Sequence, residues 1–345
     1  MLIYILKRCL LILPTLLGAL TITFVVVQFV PGGPVEQIMA EARAAGGGGG
    51  ENGYRAGRDV DKKQIEELKK LYGFDKPAHV RYVEMLGNFA RFDLGKSFMQ
   101  NKEVWTLIKE KLPVSISLGL WSFLLAYLIS VPLGIAKAVR EGSRFDTLTT
   151  LVVLVGYAIP GFVLGILLIV LFAGGTFYDW FPLRGLTSDN WIDLAWPARI
   201  ADYFWHLALP MVCLTIGSFA VTTMLTKNTF VEEIRKQYVL VARAKGLSQQ
   251  RVLYKHIFRN ALIPLVTGFP AAFVSAFFAG SVLIETLFSL DGLGLLGYEA
   301  VIRRDYPVVL GSLYFFTLIG LVVKLVSDLL YRVVDPRVQF GSVAK

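Results

Sequence analysis

Residues 229–264 read TFVEEIRKQYVLVARAKGLSQQRVLYKHIFRNALIP. The stretch is polar and basic, yet it lies between two long apolar runs. Thr229 followed three residues later by Glu232 has the spacing of a capping box that opens a helix. Ile234, Tyr238 and Val241 then recur at helical spacing, and Gly246 is placed to end the helix in a left-handed conformation. Ser248 is positioned to cap a second helix, with Leu253, Ile257 and Ala261 at successive fourth positions until Pro264 interrupts it. The expectation is two helices joined by a tight glycine turn, tethered at both ends to apolar segments.

The apolar segments set the class. Of 345 residues, 55% are hydrophobic and only 18% charged, and the mean hydropathy is +0.58. The apolar residues are concentrated in runs, as in a polytopic membrane protein. Six spans are expected, at about 9–30, 114–136, 148–172, 207–226, 263–288 and 308–330, each near the roughly 20 residues that cross a hydrocarbon core. Prolines 14, 132, 160, 210, 264 and 270 fall within them and are tolerated where neighbouring helices satisfy the freed backbone groups. The basic and then apolar N-terminus resembles a signal peptide, but its run is long enough to span, so it reads as a retained first helix. The fold class is therefore an all-α polytopic membrane protein with six transmembrane helices.

With six spans both termini share a side. That side carries Lys7, Arg8, Lys137, Arg140, Arg144, Lys227, Arg235, Lys236, Arg243, Lys245, Arg251, Lys255, Arg259, Arg332, Arg337 and Lys345, whereas the opposite short loops offer Arg184, Arg199, Arg303 and Arg304. The excess puts both termini and the 229–264 stretch in the cytoplasm. The chain then divides into a cytoplasmic N-terminus with the first span (1–30), an external segment (31–112), a five-helix core (113–334) containing the cytoplasmic loop 227–262, and a cytoplasmic tail (335–345). The external segment contains the flexible run Gly46–Gly50. It is expected to form a short helix opened by Asp61 and Gln64, then an amphipathic one carrying Tyr82, Val83, Leu86 and Phe89. Trp180, Trp191, Trp196 and Trp205 cluster between spans three and four, where an interfacial aromatic belt is expected.

Catalytic and metal chemistry find no foothold in the sequence. Gly95-Lys96-Ser97 has the ending of a phosphate-binding loop, but Ala90 stands where that loop requires glycine. The three histidines, His79, His206 and His256, are scattered, and Cys9 and Cys213 each fall inside an apolar run, so neither a metal site nor a disulfide is expected. The basic helix pair raises nucleic-acid binding, but its tethering to the membrane and the positive-inside rule account for its charge. Glu285, near the outer end of the fifth span, has two readings: an ion pair with Arg303 or Arg304, or a place in a translocation pathway. Ser275 belongs to a small-residue set in that span with Gly268, Ala271, Ala272, Ala276 and Gly280, suited either to close helix packing or to lining a pathway.

The run Tyr238-Val239-Leu240-Val241-Ala242-Arg243-Ala244-Lys245-Gly246-Leu247 resembles the cytoplasmic EAA loop of ABC importer permeases, in the form used by the dipeptide and oligopeptide branch. Arg259 to Pro264 is similar to the motif that follows it there. So are Phe92 to Ser97, Glu285 to Phe288 with Gly292-Leu293-Gly294, Arg304-Asp305-Tyr306-Pro307, and Asp335-Pro336-Arg337. The glycine-rich external insert and Gly156 to Pro160 look most similar to the B-type permeases of Yej peptide importers, the group associated with microcin C uptake. Leu240 and Val241 depart from the pattern, standing where Glu and Ala begin it.

The resemblance implies a complex of two homologous permeases, a cytoplasmic ABC ATPase and a periplasmic peptide-binding protein in a bacterial inner membrane. No cofactor is expected on this chain, ATP and Mg being used by the ATPase. Tyr238, Ala242, Arg243, Ala244, Lys245, Gly246 and Leu247 are the expected coupling residues, and membrane lipid and a peptide substrate the other partners. A dipeptide, glutathione or nickel-chelate permease of the same branch is the alternative. An ion-coupled secondary transporter would need paired ionisable residues near the bilayer midplane and an inverted repeat.

Overall fold

The computed structural model describes residues 2–30, 74–175, 177–278 and 282–334. The linker at Gly46–Gly50, the helix expected from Asp61, Gly280 and the tail 335–345 lie outside the described residues. Among the described residues, regular structure is helical apart from one isolated antiparallel bridge between Lys96 and Glu103.

Helices α1 (Leu2–Phe29), α2 (Ala78–Phe89) and α3 (Val104–Val139) come first. Next are α4 (Arg144–Ala158), α5 (Gly161–Phe172) and the 39-residue α6 (Trp196–Ile234). A short hairpin follows, and then α10 (Ile263–Phe278), α11 (Val282–Leu287), α12 (Leu293–Ile302) and α13 (Tyr306–Val334). Among the described residues, four helices, α1, α3, α6 and α13, are long and apolar enough to cross a membrane. Pro14, Pro132 and Pro210 lie inside such helices, as expected for spans whose freed backbone groups find other partners.

The third expected span is not one rod. α4 and α5 meet at 92° across Ile159 and Pro160. Proline lacks an N–H and disfavours helical backbone in the residue before it, and Ile159 is accordingly extended at φ −85°, ψ 118°. The bend is packed closely: a Cβ on Gly161 would sit 2.8 Å from the Cys213 carbonyl oxygen. The fifth expected span begins as the 16-residue α10 and reaches residues 279–281, outside the described residues, before α11. Pro264 does not interrupt the chain as anticipated. It sits in the first turn of α10, where its missing N–H costs no helical bond, and Val266 N–H reaches the Leu262 carbonyl at 2.9 Å.

The chain forms two compact units. One comprises Leu2–Leu112 and Leu296–Leu321. Here Thr21 and Tyr82 hydroxyls lie 2.6 Å apart, and the Phe24 and Tyr82 rings are 5.2 Å apart, joining α1 to α2. The buried face of α2 uses Phe89, with Tyr82 and Leu86 half-buried, whereas Val83 is exposed and does not join that face. The Gly95-Lys96-Ser97 turn is a structural joint rather than a nucleotide cradle. Buried Ser97 donates to the buried Asp305 carboxylate at 2.5 Å, and Phe98 N–H donates to the other oxygen at 3.0 Å. Gly95 holds φ +76°, a conformation glycine adopts without strain.

The other unit comprises Pro113–Leu295 and Val322–Lys345. Its core gathers Leu118, Leu207, Leu209, Met211, Cys213, Ile284, Phe288 and Leu290. α3 and α6 approach so closely at Gly134 that a Cβ there would lie 2.5 Å from Thr226 Cβ and 2.8 Å from the Thr223 carbonyl. Ser130 Oγ adds a hydrogen bond to the Phe219 carbonyl at 3.0 Å. Gly217, on the same α6, has open space where a Cβ would be. Gly134→Ala is therefore expected to destabilise the purified chain by about 1–3 kcal/mol through overpacking, whereas Gly217→Ala leaves it unchanged or slightly stabilised. Unfolding midpoints in detergent for the two variants check this. Equal midpoints would show that α3 and α6 do not meet at Gly134.

Candidate functional site

The basic stretch folds as a hairpin at the end of α6. The expected capping box at Thr229 and Glu232 does not form, because α6 runs on through both residues to Ile234. Thr229 Oγ1 instead donates back to the Thr226 carbonyl at 3.0 Å, and Glu233 rather than Glu232 is the buried acid. A helix already propagating from an apolar span needs no new start. The break falls at Arg235 and Lys236, after which α7 (Gln237–Ala244) begins.

Gly246 closes α7 as the sequence predicts. Its φ is +77°, its N–H bonds the Arg243 carbonyl at 2.9 Å, and Leu247 N–H reaches the Ala242 carbonyl at 3.4 Å. This pair of bonds is a Schellman motif, and Leu247 packs into the apolar cluster below it. Ser248 occupies the N-cap position of α8 (Gln249–Arg251) but makes no side-chain capping bond. The return limb is not uniformly α-helical. Val252–Ile257 forms a π-helix before α9 (Phe258–Ala261), so Val252, Ile257 and Ala261 are buried and Leu253 is only half-buried. The wider turn shifts the inward face by one residue from the regular fourth-position spacing.

Seven buried residues bed the hairpin: Ala138 on α3, Phe230 on α6, Val239 and Ala242 on α7, and Val252, Ile257 and Ala261 on the return limb. This sorts the expected coupling residues into two groups. Tyr238, Ala242 and Leu247 face the bed, whereas Arg243, Ala244, Lys245 and Gly246 are exposed. The outer face also carries Leu240 and Val241, 60% and 54% exposed, with exposed Tyr254 on the return limb. Leu240 and Val241 were read as departures from a pattern. Their outward position follows from burial of Val239 and Ala242, three apart on the opposite face.

Polar contacts fix the hairpin's root. Tyr238 OH donates to Glu233 Oε2 at 2.7 Å, and Lys236 pairs with Glu233 Oε1. Burial raises the Tyr238 pKa, and the hydrogen bond to Glu233 raises that of Lys236, so at neutral pH both act as donors. Arg235 reaches Glu141, in the turn between α3 and α4, at 2.9 Å.

Beside that root lies a charge cluster that sequence reading missed. Lys137 on α3 is 0% exposed; its ammonium donates to the Asp146 carbonyl at 2.9 Å, Thr149 Oγ1 at 2.8 Å and Thr150 Oγ1 at 2.7 Å. It also lies 3.2 Å from Asp146 Oδ1, while Lys227 on α6 binds Asp146 Oδ2 at 2.7 Å. Asp146 N–H bonds the N-cap Ser143 Oγ at 3.2 Å, and Gly142 N–H reaches Asp146 Oδ2 at 3.2 Å. Ser143 thus caps α4, and the Asp146 side chain reaches back to the Gly142 N–H, one residue before the cap, in a variant of the capping box. The Ser143-x-x-Asp146 spacing was the available signal.

Glu285 and Ser275 are not brought into this site. Glu285 is 1% exposed, and its carboxylate accepts the Leu295 N–H at 2.7 Å. Ser115 Oγ accepts the neighbouring Leu293 N–H at 2.8 Å. The acid thus satisfies the open N-terminus of α12, in place of the anticipated pair with Arg303 or Arg304. A Cβ on Gly292 would lie 2.7 Å from the Glu285 carboxyl, so glycine is required there. Ser275 lies on α10, with its side chain outside the described residues.

Comparison with known proteins agrees with this architecture. Residues 130–340 match the family described as binding-protein-dependent transport system inner membrane component. The chain is 54% identical to the peptidoglycan transport system permease protein YejB of Agrobacterium fabrum, with 98% of each chain covered. It is 53% identical to the inner membrane ABC transporter permease protein YejB of Escherichia coli, again with 98% of each covered. To the oligopeptide transport system permease protein AppB of Bacillus subtilis it is 33% identical, over 98% of this chain and 99% of that one. Among solved structures, an inward-facing form of the MetNI methionine ABC transporter matches with a TM-score of 0.50 at 18% identity, over 66% of this chain and 96% of that one, a likeness of fold alone. With a family match over more than half its length and full-length relatives above half identity, the chain belongs to the inner membrane components of binding-protein-dependent transport systems, the permeases of ABC importers.

Proposed function

We propose that this permease is one half of the membrane pathway of an ATP-driven peptide importer, paired with a second, homologous permease and supplied by a periplasmic peptide-binding protein. The relatives named for peptidoglycan and oligopeptide transport support a peptidic cargo. Both termini and the α7 hairpin lie on the cytoplasmic side, in keeping with the excess of basic residues there. Residues 31–112 then form the periplasmic segment.

One observation carries the coupling role: α7 presents a short outer face, Leu240, Val241, Arg243, Ala244 and Lys245, on a bed of buried side chains. Apolar residues left exposed on a polar hairpin mark a surface for another protein. The partner is the ABC ATPase, whose groove receives α7. Leu240 and Val241 supply apolar contact, and Arg243 and Lys245 face acidic rims. ATP and Mg are bound by that partner. Closure of the ATPase dimer moves the hairpin as a unit, because Val239 and Ala242 tie α7 to α3, α6 and the return limb.

Purification of the tagged chain in mild detergent is expected to recover a second permease and an ATPase, identified by mass spectrometry. Recovery of the chain alone from membranes that contain all subunits would count against the complex. Leu240→Asp with Val241→Asp is expected to abolish ATPase recovery while the second permease is retained, because these side chains make no contribution to the buried cluster. Gly246→Val acts differently. A Cβ there meets nothing within 4 Å, so the cost is the left-handed backbone alone, about 1–2 kcal/mol. The variant is expected to accumulate normally but to lose the Schellman turn and most peptide uptake. Wild-type uptake would show that the turn does not orient the docking face.

A further inference from the structure

Asp146 is shared by two lysines of two other helices, and its position relative to the hairpin is specific. Lys227 lies one helical turn before Phe230, which is buried in the hairpin bed, and Lys137 immediately precedes Ala138 of the same bed. The adjoining turn carries Glu141, which meets Arg235 at the end of α6. On its other side Asp146 belongs to α4, which packs on α6 and ends at the 92° bend into α5. The carboxylate therefore ties the root of the hairpin to the first limb of the bent pair.

Burial makes this tie more than a surface ion pair. Lys137 has no exposed area, and the Lys227 and Asp146 side chains are 16% and 7% exposed. Separating Asp146 from Lys227 breaks a 2.7 Å charge-assisted contact, and separating it from Lys137 strands an ammonium that has no exposed area. The two threonines one turn on, Thr149 and Thr150, accept from Lys137 and fix which way its ammonium points. A displacement of α6 at its hairpin end is thus carried to α4 through the Lys227–Asp146 contact at 2.7 Å, and one of α3 through Lys137, rather than absorbed by side-chain slip.

We propose that Asp146 is a positioning residue for energy coupling: its carboxylate, held between Lys137 and Lys227, makes α4 follow the hairpin when the ATPase partner moves it. The inference rests on the importer reading above and concerns transmission, not docking. The contact with the ATPase stays on α7, and ATP hydrolysis by the partner does not require Asp146.

The decisive variant removes all three charges together, Lys137→Met, Asp146→Leu and Lys227→Met, because an apolar replacement of a complete buried charge cluster leaves no orphaned charge and commonly preserves folding. The complete complex is reconstituted in proteoliposomes, and two quantities are measured: ATP hydrolysis and uptake of radiolabelled peptides from a casein hydrolysate in the presence of the binding protein. The triple variant is expected to assemble with the ATPase and hydrolyse ATP near the wild-type rate, while peptide taken up per ATP falls about tenfold. Asp146→Glu, which keeps the carboxylate, is expected to retain most of the uptake. Uptake per ATP at the wild-type level in the triple variant would overturn the proposal, since packing alone would then transmit the motion. Failure of the triple variant to accumulate, or a parallel fall of hydrolysis and uptake, would overturn it equally, by reducing the cluster to a prop for the fold. Absence of peptide uptake by the wild-type complex would instead strike the importer reading itself.

Discussion

In hydrocarbon a backbone N–H or carbonyl without a partner costs several kcal/mol, and this constraint governs where the chain may stop being helical. Two breaks among the described residues show how it is eased. At Ile159 and Pro160 the proline itself has no N–H to satisfy, and Gly161 lets the corner lie against the backbone of α6. At the start of α12 the open N–H groups of Leu293 and Leu295 are taken by Ser115 and Glu285. A carboxylate buried beside a helix N-terminus is thereby stabilised by the groups it stabilises. Among these observations, a helix-capping role for Glu285 accounts for the absence of a side chain at Gly292 as well as for its own burial.

The same constraint explains why a polar hairpin is built as it is. α6 is far longer than a bilayer crossing requires, about 20 residues against 39 observed, so its end projects as a rigid extension of a span. The hairpin then folds back on that extension over a small apolar core. Its outer face carries the groups that remain, basic at Arg243 and Lys245, apolar at Leu240 and Val241. Rigidity comes from the bed and the Schellman turn, and the π-helix on the return limb places Ile257 into the bed at a fifth-position spacing that a regular helix would not allow.

Much of this could be read in advance, and the failures have physical causes. Span positions came from the length of apolar runs, and the left-handed Gly246 from its place after the last periodic residue. The bend within the third span was not anticipated, although Pro160 was noted, because proline alone does not distinguish a kink from a corner; the close approach of Gly161 to Cys213 decides it. The capping box at Thr229 was a local signal overridden by a helix arriving from the membrane. Lys137 and Lys227 were counted among loop charges, and counting served the orientation reading while hiding their burial. Their partner is nine residues away from one and 81 from the other, and only folding brings the three together.

The segments that carried the family resemblance turn out to meet one another. Ser97 of the Phe92–Ser97 segment is bound by Asp305 of the Arg304–Pro307 segment, across 208 positions. Glu285 closes on Gly292 of its own motif. These are joints, where a particular side chain fits a particular backbone, and their presence argues for the fold. Docking specificity has to lie elsewhere, on faces that no internal contact constrains. Leu240 and Val241 are such positions: they depart from the EAA pattern, they are exposed, and the buried cluster is complete without them. In the proposed complex, burying what remains exposed of these two side chains, 60% and 54%, would contribute at most about 1–2 kcal/mol each. A groove lined to receive an acid at that place would forgo this gain. The departure from the pattern therefore describes the partner as much as the chain, and calls for an ATPase whose groove is apolar beneath these two residues.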